Sequence, residues 1–338
     1  MTSSDIEKQL MKAIVYAEYG SPEVLQFTEV AKPSPKDDEV LIQIHAASVN
    51  PLDWHYMRGT PYLVRIQAGL RKPKATRLGV DVAGHVEAVG RNVTQFKLGD
   101  EVFGACRGAF AEYACASERS LALKPANVTF EQAAAVAIAG FTALQGLRDK
   151  GHVQPGQKVL INGAAGGVGT FAVQIARSFG ADVTGVCSTR NVDLVRSIGA
   201  DRVIDYTQED FTRSGQRYDL ILDMIGNHSL SGCRRALRPE GTLVLVGGPD
   251  NGRWLGPLTG LLKAVVLSRF VSQKLLPFLA HSSKEDLITM QGLLEAGKVT
   301  PVIDRSYPLS EVPEAIRYLE EGHAQGKVVI TLEHCKET

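Results

Sequence analysis

Apolar and polar positions alternate with period two in Lys12-Ala-Ile-Val-Tyr16, Glu39-Val-Leu-Ile-Gln-Ile-His45 and Val86-Glu-Ala-Val-Gly90, with Gly, Pro or Asn between them. Residues 12–130 therefore read as short strands and turns. From about Phe130 the texture changes. Residues 131–148 are Ala-rich and helical, and after them short apolar runs alternate with amphipathic helices, which is the pattern of a parallel sheet. Strands are predicted at 158–162, 183–187, 202–205, 219–223, 242–246 and, less regularly, 269–273, and six such strands suit a doubly wound fold. Beyond them the pattern predicts a helix over 284–296, an extended segment over 301–307, a helix over 310–320 capped by Ser310 and a closing strand over 327–332. The expected architecture is α/β, with a mostly-β domain formed by 1–129 and 276–338 and a doubly wound domain over 130–275.

The 338 residues are about twice a typical domain of about 150, in keeping with two domains. Lys plus Arg and Asp plus Glu each number 37, so no global field holds a polyanion and nucleic acid is not an expected partner. The five cysteines are widely spaced with no CxxC and no clustered Cys/His pattern, and the N-terminus is polar without an apolar core. A reducing, cytoplasmic setting is expected. The apolar stretch 261–279 contains Lys263, Arg269 and Lys274, so it is expected to pack in the core or at a homodimer interface rather than to span a membrane, with membrane-surface contact as the alternative. Residues 61–77 hold Arg65, Arg71, Lys72, Lys74 and Arg77 with no acid. The default reading is a solvated loop; shaping the substrate cleft or touching an anionic membrane surface are the alternatives.

The strongest local signal is Lys158-Val-Leu-Ile-Asn-Gly-Ala-Ala-Gly-Gly-Val-Gly-Thr-Phe-Ala-Val-Gln-Ile-Ala-Arg-Ser-Phe-Gly180. An apolar strand enters a glycine-rich turn, and Val168, Ala172, Ile175 and Phe179 recur at helical spacing up to a stop at Gly180. Against the dinucleotide fingerprint G-x-G-x-x-G, Ala164 replaces the first glycine, while Gly166 and Gly169 fill the second and third places. Gly166 admits a pyrophosphate, Gly169 lets the helix pack on the strand, and the phosphates lie on the helix N-terminus around Ala165, Gly166, Gly167 and Val168. A tight turn that binds nothing is the plain alternative. At the end of the next strand, Val186-Cys-Ser-Thr-Arg-Asn191, no acid precedes Asp193, and Ser188 and Arg190 stand where a 2′-phosphate would lie. That phosphate carries about −1.5 to −2 charges, and a like charge about 4 Å away costs about 4 kcal/mol at an effective dielectric near 20. NADPH is the expected cofactor, with a permissive NAD site beside a solvated arginine as the alternative. Ile225 follows the fourth strand and Gly247 and Gly248 the fifth, at carboxyl ends where open α/β sheets bind ligands.

Five separated motifs, Ala47-Ser-Val-Asn-Pro-Leu-Asp53, Asp81-Val-Ala-Gly-His-Val-Glu-Ala-Val-Gly90, residues 163–169, Ile198-Gly-Ala-Asp-Arg-Val-Ile-Asp-Tyr206 and Gly322-His-Ala-Gln-Gly-Lys327, together resemble the medium-chain dehydrogenase/reductase superfamily. The similarity is to its zinc-free quinone oxidoreductase branch and covers nearly the whole chain. It implies a GroES-like first domain completed by the C-terminal tail, a Rossmann domain with a six-stranded parallel sheet, and an active site in the cleft between them. It also implies that Asn50 bonds the nicotinamide ribose or a substrate oxygen, that His55 or its neighbour Tyr56 relays a proton, and that Tyr206 lies near the adenine or its phosphate. Ala324, Gln325 and Lys327 would belong to a tail loop that closes over the cofactor. Plain alternatives are a turn-forming Asn before Pro51, surface placement of His55 and Tyr56, simple packing of Tyr206 and a solvated Lys327. The remaining histidines are expected to be structural.

In zinc-dependent relatives the metal is held by a Cys, a His with an adjacent Glu, and a further Cys. Those places hold Asn50, Val80 with Asp81, and about Ala139, none of which offers thiolate or imidazole. No metal is expected. Without a Lewis acid, activated acceptors suit the site best, because the developing charge spreads onto an oxygen that one donor can stabilise. The expected function is NADPH-dependent, zinc-independent hydride transfer to quinones or α,β-unsaturated carbonyls. A non-catalytic NADPH-binding protein and a zinc alcohol dehydrogenase are its rivals.

Overall fold

The computed structural model describes residues 10–247 and 271–333. The alternating segments at the start form β1 (Leu10–Val15) and β2 (Gln26–Ala31), an antiparallel pair, and then β3 (Glu39–Val49). Two helices follow, α1 (Pro51–Arg58) and α2 (Val64–Ala68), and then β4 (Asp81–Val89), β5 (Glu101–Ala105), β6 (Tyr113–Ser117) and β7 (Leu121–Leu123).

The Ala-rich run expected to be one helix over 131–148 is broken into α3 (Phe130–Ala134), α4 (Ala137–Gln145) and a π-helical turn (Gly146–Lys150). Ala135 and Val136 tighten to i→i−3 bonds at the break. The N–H of Ile138, which a continuous helix would give to the carbonyl four residues back, goes instead to the Asp81 carboxylate at 3.0 Å.

The second half alternates as expected through β8 (Lys158–Asn162), α5 (Gly167–Ser178), β9 (Asp182–Cys187), α6 (Val192–Ser197), β10 (Arg202–Asp205), β11 (Tyr218–Asp223), α7 (Leu230–Ala236), β12 (Leu237–Leu245) and β13 (Lys274–Pro277). These strands form a six-stranded sheet in the order β10-β9-β8-β11-β12-β13, every neighbour parallel. The order reverses between β8 and β11, which opens a crevice at their carboxyl ends. The sixth strand lies after the expected 269–273, whose first two residues fall outside the described residues. Gln273 instead turns its amide to the carbonyls of Arg234 and Arg238, and pairing with β12 begins at Lys274. The strand runs to Pro277, past the expected domain border at 275.

The chain then forms α8 (Lys284–Glu295), β14 (Ile303–Pro308), α9 (Val312–Glu320) and β15 (Lys327–Thr331). Ser310 is not the cap expected of it. It lies inside a 3-10 turn, Leu309–Glu311, and α9 starts after Glu311 with no side-chain cap and with Pro313 in its first turn, where one N–H needing a partner is missing. The last two strands join β3 to β7 in a seven-stranded sheet, ordered β14-β15-β3-β4-β5-β7 with β6 pairing β3. One hydrophobic core runs through both sheets, joining Ala46, Ala83 and Phe103 to Val159, Ile161 and Leu220 by way of α4.

Candidate active site

Three glycines at the end of β8 are explained by what a side chain would strike. Gly163 has φ +90°, and a Cβ there would lie 2.8 Å from Ile225. A Cβ on Gly169 would come within 2.0 Å of the Gly163 carbonyl oxygen, so helix α5 presses directly on the strand end. Gly166 differs: its backbone is extended, and its Cβ would meet only the Gly163 oxygen, at 3.5 Å. The space beside it is a cradle. The N–H groups of Gly167, Val168 and Gly169 precede the first helical bond, from Thr170 N–H to the Gly166 carbonyl at 2.9 Å, and face out of the helix end. Ala165 is buried beneath this turn, and Val168 packs half-buried on the core. Gly247 sits where a Cβ would collide with the Met224 carbonyl at 2.2 Å. Gly248 lies outside the described residues. The loop thus has the shape, the helix-terminal donors and the dipole that a pyrophosphate requires, and the residues fit a dinucleotide.

At the carboxyl ends of β9 and β10 stand Ser188, half-buried, and Arg190 and Tyr206, exposed. Arg190 donates to the His323 carbonyl at 2.7 Å, which ties the strand end to the tail segment that carries Ala324 and Gln325. Gln325 is anchored through its N–H to Asp304 at 2.9 Å, and Gly326 bridges directly to Gly166. An acid that the sequence reading overlooked, Asp205, lies across from Cys187 in the sheet. Its carboxylate accepts from the hydroxyls of Thr189 and Thr207 at 2.6 and 2.8 Å, bonds that hold it below the usual carboxylate range. It is one strand over, so inspecting the end of β9 alone misses it.

The tail residue expected to close over the cofactor does something else. Lys327 opens β15 and is 3 % exposed. Its stem lies against the phosphate turn, where a Cβ on Gly167 would be 3.1 Å from the Lys327 Cδ, and its ammonium turns inward. There it donates to Asn50 Oδ1 at 2.6 Å and to Asp81 Oδ2 at 3.2 Å. Asp81 also accepts from Ser48 Oγ at 2.7 Å and from Asn50 Nδ2 at 2.9 Å. Asn50 is the N-cap of α1, and Asp53 one turn on accepts its N–H at 2.8 Å and the Gly79 N–H at 3.0 Å. Burial pushes the Asp53 carboxyl up to about 7, against the pull of those two N–H groups, with Asp81 raising it further and Lys327 lowering it.

This network narrows the role expected of Asn50. A lysine only donates, so Oδ1 must face Lys327, and both amide hydrogens then go to Asp81 and, at 3.4 Å, to the Ser48 carbonyl. The amide has no donor left for a substrate oxygen; its spare capacity is as an acceptor, which suits a ribose hydroxyl. Nor do the residues fit zinc. Asn50, Asp81 and the buried Ala139 are gathered as the resemblance implies, but the one carboxylate among them is committed to an ammonium. Among the described residues no group of three His, Cys, Asp or Glu is placed to hold a metal.

His55 is likewise engaged. Its Nδ1 lies 2.8 Å from the Thr60 carbonyl, so that nitrogen carries the hydrogen, and its ring lies on Trp54 with centroids 3.7 Å apart. Tyr56 packs on the core of the first domain beside Tyr16, whose phenol is pushed up to about 12 by burial and by Tyr19, Asp53 and Tyr56. Neither joins the Lys327 network. Ile225, 46 % exposed, projects over the phosphate turn. Beside it Asp223, fully buried at the end of β11, accepts on Oδ1 from Asn162 and from the Ile225 and Gly226 N–H groups, while its Oδ2 has no partner. A polar residue ending an apolar strand at the switch point was the available signal for both Asn162 and Asp223. A separate cavity of about 400 Å³, lined by Ala105, Phe141, Arg119, His281 and Lys284 among others, contains none of the network's side chains.

Residues 36–126 match the alcohol dehydrogenase GroES-like domain and residues 198–330 the zinc-binding dehydrogenase family. A chloroplast envelope quinone oxidoreductase homologue of Arabidopsis thaliana is 34 % identical over 95 % of this chain and 98 % of its own. An NADPH-dependent alkenal/one oxidoreductase of the same plant is 36 % identical over 95 % of this chain and 79 % of its own. Among solved structures, Escherichia coli quinone oxidoreductase complexed with NADPH superposes with a TM-score of 0.81 at 26 % identity, covering 95 % of this chain and 99 % of that one.

Proposed function

The chain belongs to the medium-chain dehydrogenase/reductase superfamily, in its quinone oxidoreductase branch, and from that premise we propose that it is a zinc-independent reductase of quinones and α,β-unsaturated carbonyls. It is an oxidoreductase that uses NADP(H). The observation that carries the finer reading is the buried ammonium of Lys327, bonded to Asn50 and Asp81 where zinc-dependent relatives bind their metal.

Bound at the phosphate turn, the dinucleotide supplies a hydride. Gly166, Gly167 and Val168 would receive the pyrophosphate, and Ser188, Arg190 and Tyr206 the adenosine 2′-phosphate. Asn50 Oδ1 would accept from the ribose, its orientation fixed by Lys327. The Lys327 charge, shielded from water, favours negative charge that develops on an acceptor oxygen nearby. A conjugated acceptor needs no more polarisation than this, whereas a simple ketone does. With the His55 Nδ1 hydrogen and both Asn50 amide hydrogens occupied, the proton that follows the hydride would come from solvent or from another nearby side chain such as Tyr56. The same reading places the cleft between the lobe of 1–129 with 276–338 and that of 130–275, in a homodimer within a reducing cytoplasm, with contact between copies through 261–279, most of which lies outside the described residues.

Anaerobic stopped-flow tests this. NADPH absorbance should fall with a panel of quinones and enals, in protein that contains no stoichiometric zinc. Tight NADPH binding with inertness across the panel would favour the non-catalytic rival, and stoichiometric zinc would favour the alcohol dehydrogenase.

A further inference from the structure

Between Asp53 and Asp81 the chain has no acid and carries Arg58, Arg65, Arg71, Lys72, Lys74 and Arg77, in a protein with equal totals of positive and negative side chains. Two of these cations are used internally. Arg58 pairs with Glu320, and Arg65 lies over the rings of Tyr19 and Tyr62, at 4.5 and 4.8 Å, while donating to the Gly59 carbonyl. Arg77 is half-buried. Arg71, Lys72 and Lys74 are exposed and have no ion-pair partner among the described residues.

Large aliphatic side chains stand among them. Leu63, Ile66 and Leu70 are 40, 64 and 74 % exposed. The backbone beneath is well held. The Tyr19 hydroxyl donates to the Gly69 carbonyl at 2.6 Å, the Gly69 and Lys74 N–H groups donate to the carbonyls of Arg65 and Ala68, and Ala68 and Pro73 are buried. At the far end the Thr76 carbonyl accepts from the Tyr16 N–H at 2.9 Å. The aliphatic and cationic groups therefore project from a packed platform.

We propose that residues 63–74 are a peripheral docking surface for an anionic lipid bilayer. Protruding aliphatics suit the boundary between headgroups and acyl chains, and the unpaired cations beside them suit the lipid phosphates. Charge complementarity selects this occupant: nucleic acid would use the cations and leave the aliphatics in water, and a second copy would bring the same three cations face to face. Contact is peripheral, since no helix among the described residues is long and apolar enough to cross a membrane. The proposal stands independently of the hydride-transfer reading. Combined with it, the surface would bring an acceptor dissolved in the bilayer to α1, the helix that Asn50 caps.

Cosedimentation of the full chain with vesicles tests it. The protein is expected to pellet with phosphatidylcholine vesicles that contain phosphatidylglycerol, to stay in the supernatant with phosphatidylcholine alone, and to be released by high salt. The triple variant Arg71→Glu, Lys72→Glu, Lys74→Glu should lose at least about tenfold in partitioning, and the double variant Ile66→Ser, Leu70→Ser several-fold. Both should keep the wild-type circular dichroism spectrum and NADPH affinity, which separates lost docking from lost folding. No binding to the anionic vesicles, or equal binding by the triple variant, overturns the proposal. So does gel filtration in which the double variant alone converts a dimer to a monomer, because that gives the face to a second copy.

Discussion

Asp81 accepts four hydrogen bonds without any exposure to solvent, from Ser48, Asn50, Lys327 and the Ile138 N–H. Replacing Lys327 by Met leaves that carboxylate charged and unpaired in the interior, a change that costs about 3 kcal/mol or more when a buried pair is broken. Urea unfolding should register the loss, and kcat should fall more than KM rises if the ammonium acts on developing charge; an unchanged kcat removes it from that role. Asp53 gives a second prediction. Its carboxyl titrates near 7 when folded and near 3.9 when unfolded. Between those values the folded state holds a proton that the unfolded state has released, so its share of stability falls as pH rises through the window, by up to about 1.4 kcal/mol per pH unit. Urea titrations at about pH 5 and about pH 7 should give a steeper decline for wild type than for Asp53→Asn; equal slopes would show that the group is ionised throughout. Asp53 stood in the sequence only as the end of the Ala47–Asp53 motif, and its place three residues after a helix-capping Asn emerged with α1. Lys327 was singled out in the sequence, but its buried partnership was not legible there, because Asn50 is 277 positions away and a lysine opening an apolar strand looks the same whether its head is buried or solvated.

The phosphate turn separates two effects of adding a methyl group. Gly169→Ala drives a Cβ into the Gly163 carbonyl and should lower the melting temperature by several degrees. Gly166→Ala enters open space with a backbone any residue adopts, so it should leave melting nearly unchanged while weakening NADPH binding by about tenfold or more. Fluorescence titration beside calorimetry distinguishes the two, and unaltered NADPH affinity in Gly166→Ala would sink the assignment of the cradle. The strands of the parallel sheet were readable because each is a short apolar run between turn residues; β8 and β10 fall at the predicted positions. The division of 131–148 was hidden, since it depends on Asp81 taking the Ile138 N–H from another part of the chain. β13 was misplaced because its edge is set by pairing with β12 rather than by local hydrophobicity.

At the scale of the molecule, a continuous core through both sheets implies that they melt together. Differential scanning calorimetry should give one transition, and two resolved peaks would contradict that coupling. NADPH at about 100 times its Kd should add about 2.7 kcal/mol to stability. Arg190→Ala should remove much of that gain for NADPH and little of the gain for NADH, because only the former carries the 2′-phosphate; equal losses would place the arginine elsewhere.

The strand order has one more consequence. β15 lies between β14 and β3, with Val328 beside Val49. A ribosome translating this chain releases β3 long before its neighbour exists, so the first lobe must wait with an open edge through most of synthesis. A stop codon just before Lys327 would therefore take out an inner rung of the sheet and the ammonium beside Asn50 together, and the product should be an aggregate rather than a shortened enzyme.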